Sequence, residues 1–228
     1  MLKIPQNSWL PYIAPMALYF VFLAVQTNAN LVWLYPIKTL AVAGVLWWFR
    51  RSYTELHCST RAPRASAGSS ATAAGEAPAL QTFGWAVAAG LLAIAIWIGI
   101  DPVYPKLSSA APFDPSGRYA FITFRIVGAV LVVPVMEELF WRAFLIRWLV
   151  KDDFKSVPVG TFTWRSFVIT VALFGLEHNQ WLAGLICGAI YNMLLYRTRS
   201  VWACVVAHAT SNAALAAWVL ARSDWKFW

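Results

Sequence analysis

Long apolar runs alternate with short polar interruptions along this chain, and the interruptions mark where the elements end. A first run from Trp9 to Val25 stops at Gln26-Thr27-Asn28-Ala29-Asn30, and a second from Leu31 to Phe49 stops at Arg50-Arg51. A third runs from Thr82 to Ile100, and a long fourth covers about 118–150 with Pro134 in its middle. The last three are Arg165 to about His178, Trp181 to Tyr196 and Val201 to about Ala221. A helix needs about 20 apolar residues to cross a hydrocarbon core of ~30 Å, so the pattern predicts an all-α fold. The expected architecture is a polytopic transmembrane bundle of about seven (seven to eight) helices, folded as one membrane-embedded domain. The fourth helix is longer than the core is thick and must tilt, protrude or bend. Pro134 supplies the bend, because proline lacks a backbone donor and crowds the preceding turn. The stretch 62–80, rich in Ala, Ser and Gly, reads as a flexible low-complexity loop.

Composition agrees with lipid as the solvent. Sixty per cent of the residues are hydrophobic and 12% charged, against about 25% charged in a soluble domain. The net charge of +8 comes from basic residues grouped at helix ends, with no interleaved basic and aromatic motif, and this excludes nucleic-acid binding. Lys3, Arg50, Arg51, Arg61, Arg64, Arg147, Lys151, Lys155, Arg197 and Arg199 fall on one set of loops; Lys106, Arg118, Arg222 and Lys226 fall on the other. The positive-inside rule puts the first set in the cytoplasm, with the N-terminus inside and the C-terminus outside. Cys58, Cys187 and Cys204 have no metal spacing and there is no CxxC.

Ionisable groups inside membrane helices are costly, so each calls for a partner or a task. The fourth helix carries Glu137-Glu138-Leu139-Phe140-Trp141-Arg142. Glu138 and Arg142 are i,i+4 and can pair. Glu137 is turned about 100° away, without that partner, and is placed to take a proton from water. The fifth helix ends in Phe174-Gly175-Leu176-Glu177-His178, with Phe174 and His178 on one face and Glu177 expected to point elsewhere, as a solvent-facing end residue or a residue that supports the site from behind. On the seventh, His208 and Asn212 are i,i+4 and aim two donors from one face, as an oxyanion site requires. An interfacial histidine facing headgroups would account for the second motif equally well, and interhelical hydrogen bonding accounts for the third, taken alone, slightly better. On straight helices Glu137, His178 and His208 lie ~10 to 20 Å from the cytoplasmic ends, which brings them to similar depth. Among the other polar positions, Lys38 is expected to snorkel or meet a bundle carboxylate, Arg125 to neutralise a neighbour or Asp101, and Asn192 to serve as helix glue.

The set EExxxR, FxxxH and HxxxN, in order on separate membrane helices, resembles the CAAX protease and bacteriocin-processing (CPBP) family of intramembrane endopeptidases over about residues 118–220. Tyr35-Pro36-Ile37-Lys38-Thr39-Leu40, Trp97-Ile98-Gly99-Ile100-Asp101 and Val133-Pro134-Val135-Met136-Glu137-Glu138-Leu139-Phe140-Trp141-Arg142 resemble, more narrowly, the CAAX-protease-related proteins of bacterial exosortase (PEP-CTERM) systems. The resemblance implies a bacterial inner-membrane protein whose partners are a protein or peptide substrate and an exosortase system. It also implies that Glu137 activates water assisted by His178, that His208 and Asn212 stabilise the oxyanion, and that Glu138, Arg142 and Phe174 support the site. The residues by themselves leave open whether His178 or His208 partners the base. A metal-free mechanism is expected, since no HExxH places two ligands on one helix, although the same Glu/His cluster could hold Zn²⁺. Two non-peptidase readings compete: a non-catalytic immunity or scaffold partner, and a proton-coupled carrier.

Overall fold

The computed structural model describes residues 8–56, 73–108 and 112–228. Within them the chain is all-helical, and seven long helices carry the fold. These are α1 (Leu10–Val25), α2 (Leu31–Phe49), α3 (Ala73–Ile100), α4 (Tyr119–Trp148), α5 (Trp164–Leu176), α6 (Trp181–Thr198) and α7 (Val201–Arg222). Four segments, Leu31–Ser52, Ala79–Val103, Tyr119–Trp148 and Val201–Arg222, are long and apolar enough to cross a bilayer, and α1 and α5 are shorter apolar helices. The molecule is a multi-pass membrane bundle. Trp9, Trp47, Trp48, Trp148 and Trp202, near helix ends, are all exposed, as interfacial tryptophans are.

Two expectations change in detail. The third helix begins at Ala73 rather than Thr82, because Ala73-Ala74 and the alanines after them favour helix over loop. Residues 73–80 of the expected loop therefore belong to α3, and 57–72 lie outside the described residues. The fourth helix meets Pro134 with a change of pitch: α-helical turns flank π-helical ones at Gly128–Val132 and Leu139–Leu145. The Val133 N–H reaches back five residues to the Gly128 carbonyl. The next donor in that register would be residue 134, which as proline has none. The Ala129 carbonyl is thereby left without its helical partner, and Asn212 Nδ2 of α7 donates to it at 2.7 Å.

Small residues set the close approaches. α3 packs most extensively on α7, and α5 on α6. A Cβ on Gly90 would lie 2.3 Å from the Ala207 carbonyl oxygen, next to His208. A Cβ on Gly184 of α6 would lie 3.0 Å from the Gly175 Cα of α5. At the basic-loop end, Arg147 is buried rather than a free face charge. It pairs with Glu55, whose other oxygen accepts from Tyr12 at 2.8 Å, tying α1 and the turn after α2 to α4. At the opposite end Asp101 pairs with Lys106 at 3.2 Å and Lys226 at 2.9 Å. The hydrogen bond to Asp101 holds the Lys226 ammonium above its ordinary pKa.

Gly90→Val forces α3 away from α7, and overpacking of this kind costs about 1–3 kcal/mol. Thermal unfolding in detergent should show a lowered midpoint, whereas Gly99→Val, where the added carbon meets open space, should leave it nearly unchanged.

Candidate active site

Three of the polar motifs are built on different helices, and a buried hydrogen-bond chain joins those helices. Thr170 Oγ1 of α5 accepts from Asn192 Nδ2 of α6 at 2.9 Å. Asn192 Oδ1 accepts from Arg142 Nε of α4 at 3.2 Å. Arg142 Nη1 donates to Glu138 Oε1 at 3.2 Å, and the same oxygen lies 2.9 Å from His208 Nδ1 of α7. Glu138 is wholly buried and Arg142 nearly so. The guanidinium sits over the rings of Phe174 and Tyr191, 4.5 and 5.4 Å from their centroids. The expected i,i+4 pair is present, and Asn192 is the glue that holds its cation.

Both histidines have one ring nitrogen fixed by a neighbour. His178 Nδ1 is 2.7 Å from the Phe174 carbonyl oxygen, which can only accept, so Nδ1 carries a proton and Nε2 is left free. His208 Nδ1 faces a carboxylate oxygen, and its ring stacks on Tyr191 at 5.5 Å. The Tyr191 hydroxyl is 2.6 Å from Ser211 Oγ, and Ser211 donates to the His208 carbonyl at 2.8 Å.

Glu137, His178, His208 and Asn212 all line one cavity of about 200 Å³. Glu137 is buried, and its Oε2 has no hydrogen-bond partner among the described residues. Asn212 lines the same cavity, but one of its two amide N–H groups is committed to the Ala129 carbonyl. It therefore clamps the π-helical turn of α4 whatever its second N–H does.

Glu177 is where the structure overturns the sequence argument. One ligand-type atom each from Glu137, Glu177 and His178 all fall within 4.8 Å of one another. Glu177 Oε1 is buried without a hydrogen-bond partner, and the Trp141 indole approaches the carboxylate. The rule of 100° per residue had turned Glu177 away from His178, but regular helix ends at Leu176. The His178 N–H bonds three residues back to Gly175, a tightened last turn to which that rule does not apply. Glu177 thus lies beside Glu137 and His178, a placement that periodicity misses; its one signal was a carboxylate at a helix C-cap beside a histidine.

Two of the pairings expected with carboxylates are absent among the described residues. Lys38 meets no carboxylate: its Nζ donates to Gln26 Oε1 at 2.9 Å, over the rings of Tyr19 and Tyr35. Arg125 does not reach Asp101, which two lysines neutralise, and lies over Tyr35 and Trp228 instead.

Part of the cavity's lining falls in a stretch that resembles a known sequence family. Residues 119–214 match the model of the type II CAAX prenyl endopeptidase Rce1-like family. The match is a likeness of this segment to that family. It spans less than half of the chain, from the start of α4 into α7, and includes Glu137, Glu138, Arg142, Phe174, His178, His208 and Asn212. No curated protein and no solved structure matches the chain. The Rce1-like segment thus contains all four helices that the Thr170–Asn192–Arg142–Glu138–His208 chain ties together.

Removing one charge from that chain leaves another buried and unpaired, at a cost of about 3–5 kcal/mol. Glu138→Ala should lower the unfolding midpoint sharply. Glu138→Leu combined with Arg142→Met, which removes both charges and keeps volume, should recover most of the loss; thermal scans of the purified single and double variants measure the difference.

Proposed function

We propose that this protein is an intramembrane endopeptidase that hydrolyses a peptide bond near the C-terminus of a membrane-associated protein, using water activated by Glu137. The observation that carries the reading is the Glu137 carboxylate, with an oxygen free of protein partners, in one cavity with two imidazoles whose other nitrogens are already fixed. Glu137 accepts a proton as the water oxygen attacks the scissile carbonyl carbon, and His178 Nε2 accepts a hydrogen bond from that water. The oxyanion takes hydrogen bonds from His208 Nε2–H and from the second N–H of Asn212. The Glu138 carboxylate across the His208 ring supports the proton on Nε2. Collapse breaks the C–N bond, and Glu137 returns its proton to the departing amine. The Rce1-like match supports a protease of this class. The partner system, an exosortase system in a bacterial inner membrane, is a further part of the proposal.

The cavity's lining at one end of the bundle bears on where substrate comes from. Gln180, Phe227 and Trp228 line it, from the turn after α5 and the segment after α7. These lie on the side with few basic residues, opposite Arg50, Arg51, Lys151, Arg197 and Arg199. Under the positive-inside rule the site receives polypeptide from the non-cytoplasmic face.

The clustering of Glu137, Glu177 and His178 favours a second reading, in which a divalent cation such as Zn²⁺ polarises the water. A carboxylate–carboxylate–imidazole set is a chemically ordinary zinc donor set.

Glu137→Gln should lower cleavage by about 10²–10⁴-fold, the usual worth of a general base, with the protein still folded. His178→Ala and His208→Ala should each be severely impaired. Cleavage by purified protein that survives Glu137→Gln ends the peptidase reading, and cleavage abolished by chelator and restored by Zn²⁺ selects the metal-dependent form. For the direction of access, Gln180→Cys in a Cys58→Ser background should react with a membrane-impermeant maleimide added outside intact cells. Labelling confined to inside-out vesicles would reverse the orientation.

A further inference from the structure

α2 and α4 are in close contact at Gly128, where an added Cβ would lie 2.8 Å from Thr39 Oγ1 and 3.1 Å from the Tyr35 ring. A turn further along both helices the contact gives way to an open cavity of about 410 Å³. Ala43 and Leu46 line it from α2, Leu131, Val132 and Val135 line it from α4, and Arg50 lines it at the end next to the basic loops. Leu131 is 62% exposed, so this groove opens sideways, toward lipid. The Arg50 guanidinium stacks on the Trp47 ring, 4.1 Å from its centroid, and Nη1 donates to the Trp47 carbonyl at 2.8 Å. These contacts orient the cation without neutralising it. Neither Arg50 nor its exposed neighbour Arg51 pairs with a carboxylate among the described residues. Glu55, the acid nearest to them in sequence, is committed to Arg147 and Tyr12. The other face of the same stretch of α4, with Ala129, Val133 and Glu137, lines the cavity of the proposed active site.

We infer that this groove seats an anionic phospholipid, with its phosphate on Arg50 and Arg51 and one acyl chain laid between α2 and α4. The groove is apolar along its length and cationic at one end, which is the complement of an amphiphile with a negative head and an alkyl tail. A guanidinium offers a planar fork for two phosphate oxygens, and stacking on Trp47 fixes its plane in advance. The height is right for a headgroup, because the exposed Trp47 and Trp48 mark the membrane interface at the same end of α2. From Arg50 to Ala43 the groove runs about 10 Å along α2 toward the middle of the membrane, the direction an acyl chain takes. A choline lipid carries the same phosphate beside a trimethylammonium, which two arginines disfavour. The seated chain packs the outer side of the π-helical turn Gly128–Val132, whose Ala129 carbonyl Asn212 clamps from within. Lipid and Glu137 thus occupy opposite faces of one irregular stretch of α4, and the lipid site stands whether or not the protein is a peptidase.

Native mass spectrometry of the full-length protein, released from detergent, counts bound lipids one at a time. The probes are phosphatidylglycerol and phosphatidylcholine with the same palmitoyl and oleoyl chains. The first phosphatidylglycerol should bind about tenfold or more tighter than the first phosphatidylcholine, the worth of two basic residues at the membrane surface. Arg50→Gln combined with Arg51→Gln should erase that preference, and Arg222→Gln at the opposite end of the bundle should leave it intact. Leu131→Trp fills the groove and should weaken the first phosphatidylglycerol about tenfold. Ala43→Phe does the same from the other wall and serves if the first variant does not fold. Soluble glycerol phosphate, which has the head without the chain, should not displace the lipid. Equal affinity for the two lipids, a preference that persists in the double glutamine variant, or undiminished binding to a folded groove-filled variant overturns the assignment. So does displacement by glycerol phosphate, or a dimer mass that Leu131→Trp abolishes, which would give the groove to a second copy of this chain.

Discussion

The Glu138 carboxylate is the constraint on which the bundle's interior depends. It is fully buried, and a buried charge is tolerable only when its partners are fixed around it. Arg142 and His208 share its Oε1, and Arg142 is itself held by Asn192, which Thr170 orients. Four helices are therefore registered to one anion. A shift of α7 or α6 by a single residue would separate a charge from its partner inside lipid, where no water compensates. The neighbouring Glu137 inherits this precision without sharing the partners, so one carboxylate fixes the position of the other.

A second economy lies in α4. Proline at 134 removes a donor just where the helix widens, and the carbonyl left over is met by Asn212. The irregular turn and the residue that repairs it both border the cavity. Non-regular backbone at membrane depth is tolerated where protein satisfies it, and here that repair also holds α7 against α4 beside the Glu137 carboxylate. The tightened end of α5 acts similarly, bringing Glu177 and His178 to the same space.

Charge is distributed along the cavity rather than spread through it. Glu137 lines it with an oxygen free of protein partners, Arg125 lines it over the rings of Tyr35 and Trp228, and Tyr19 lines it within the electrostatic reach of both.

The sequence alone determined the helices, because a bilayer forces any spanning segment to satisfy its own backbone, and apolar length then reads directly as structure. It determined the Glu138–Arg142 pair for the same reason, since i,i+4 neighbours are local to one helix. It also isolated Glu137, His178, His208 and Asn212 as the polar residues that lipid would not keep without cause. The tertiary structure alone decided what each meets. Glu177 comes beside Glu137 and His178 because a helix end breaks the periodicity used to turn it away; Asn212 binds a carbonyl that became free only through the pitch change in α4; Lys38 and Arg125 face aromatic rings instead of carboxylates. Each depends on a partner from another helix or on a departure from regular geometry, and neither is encoded in spacing along a single segment.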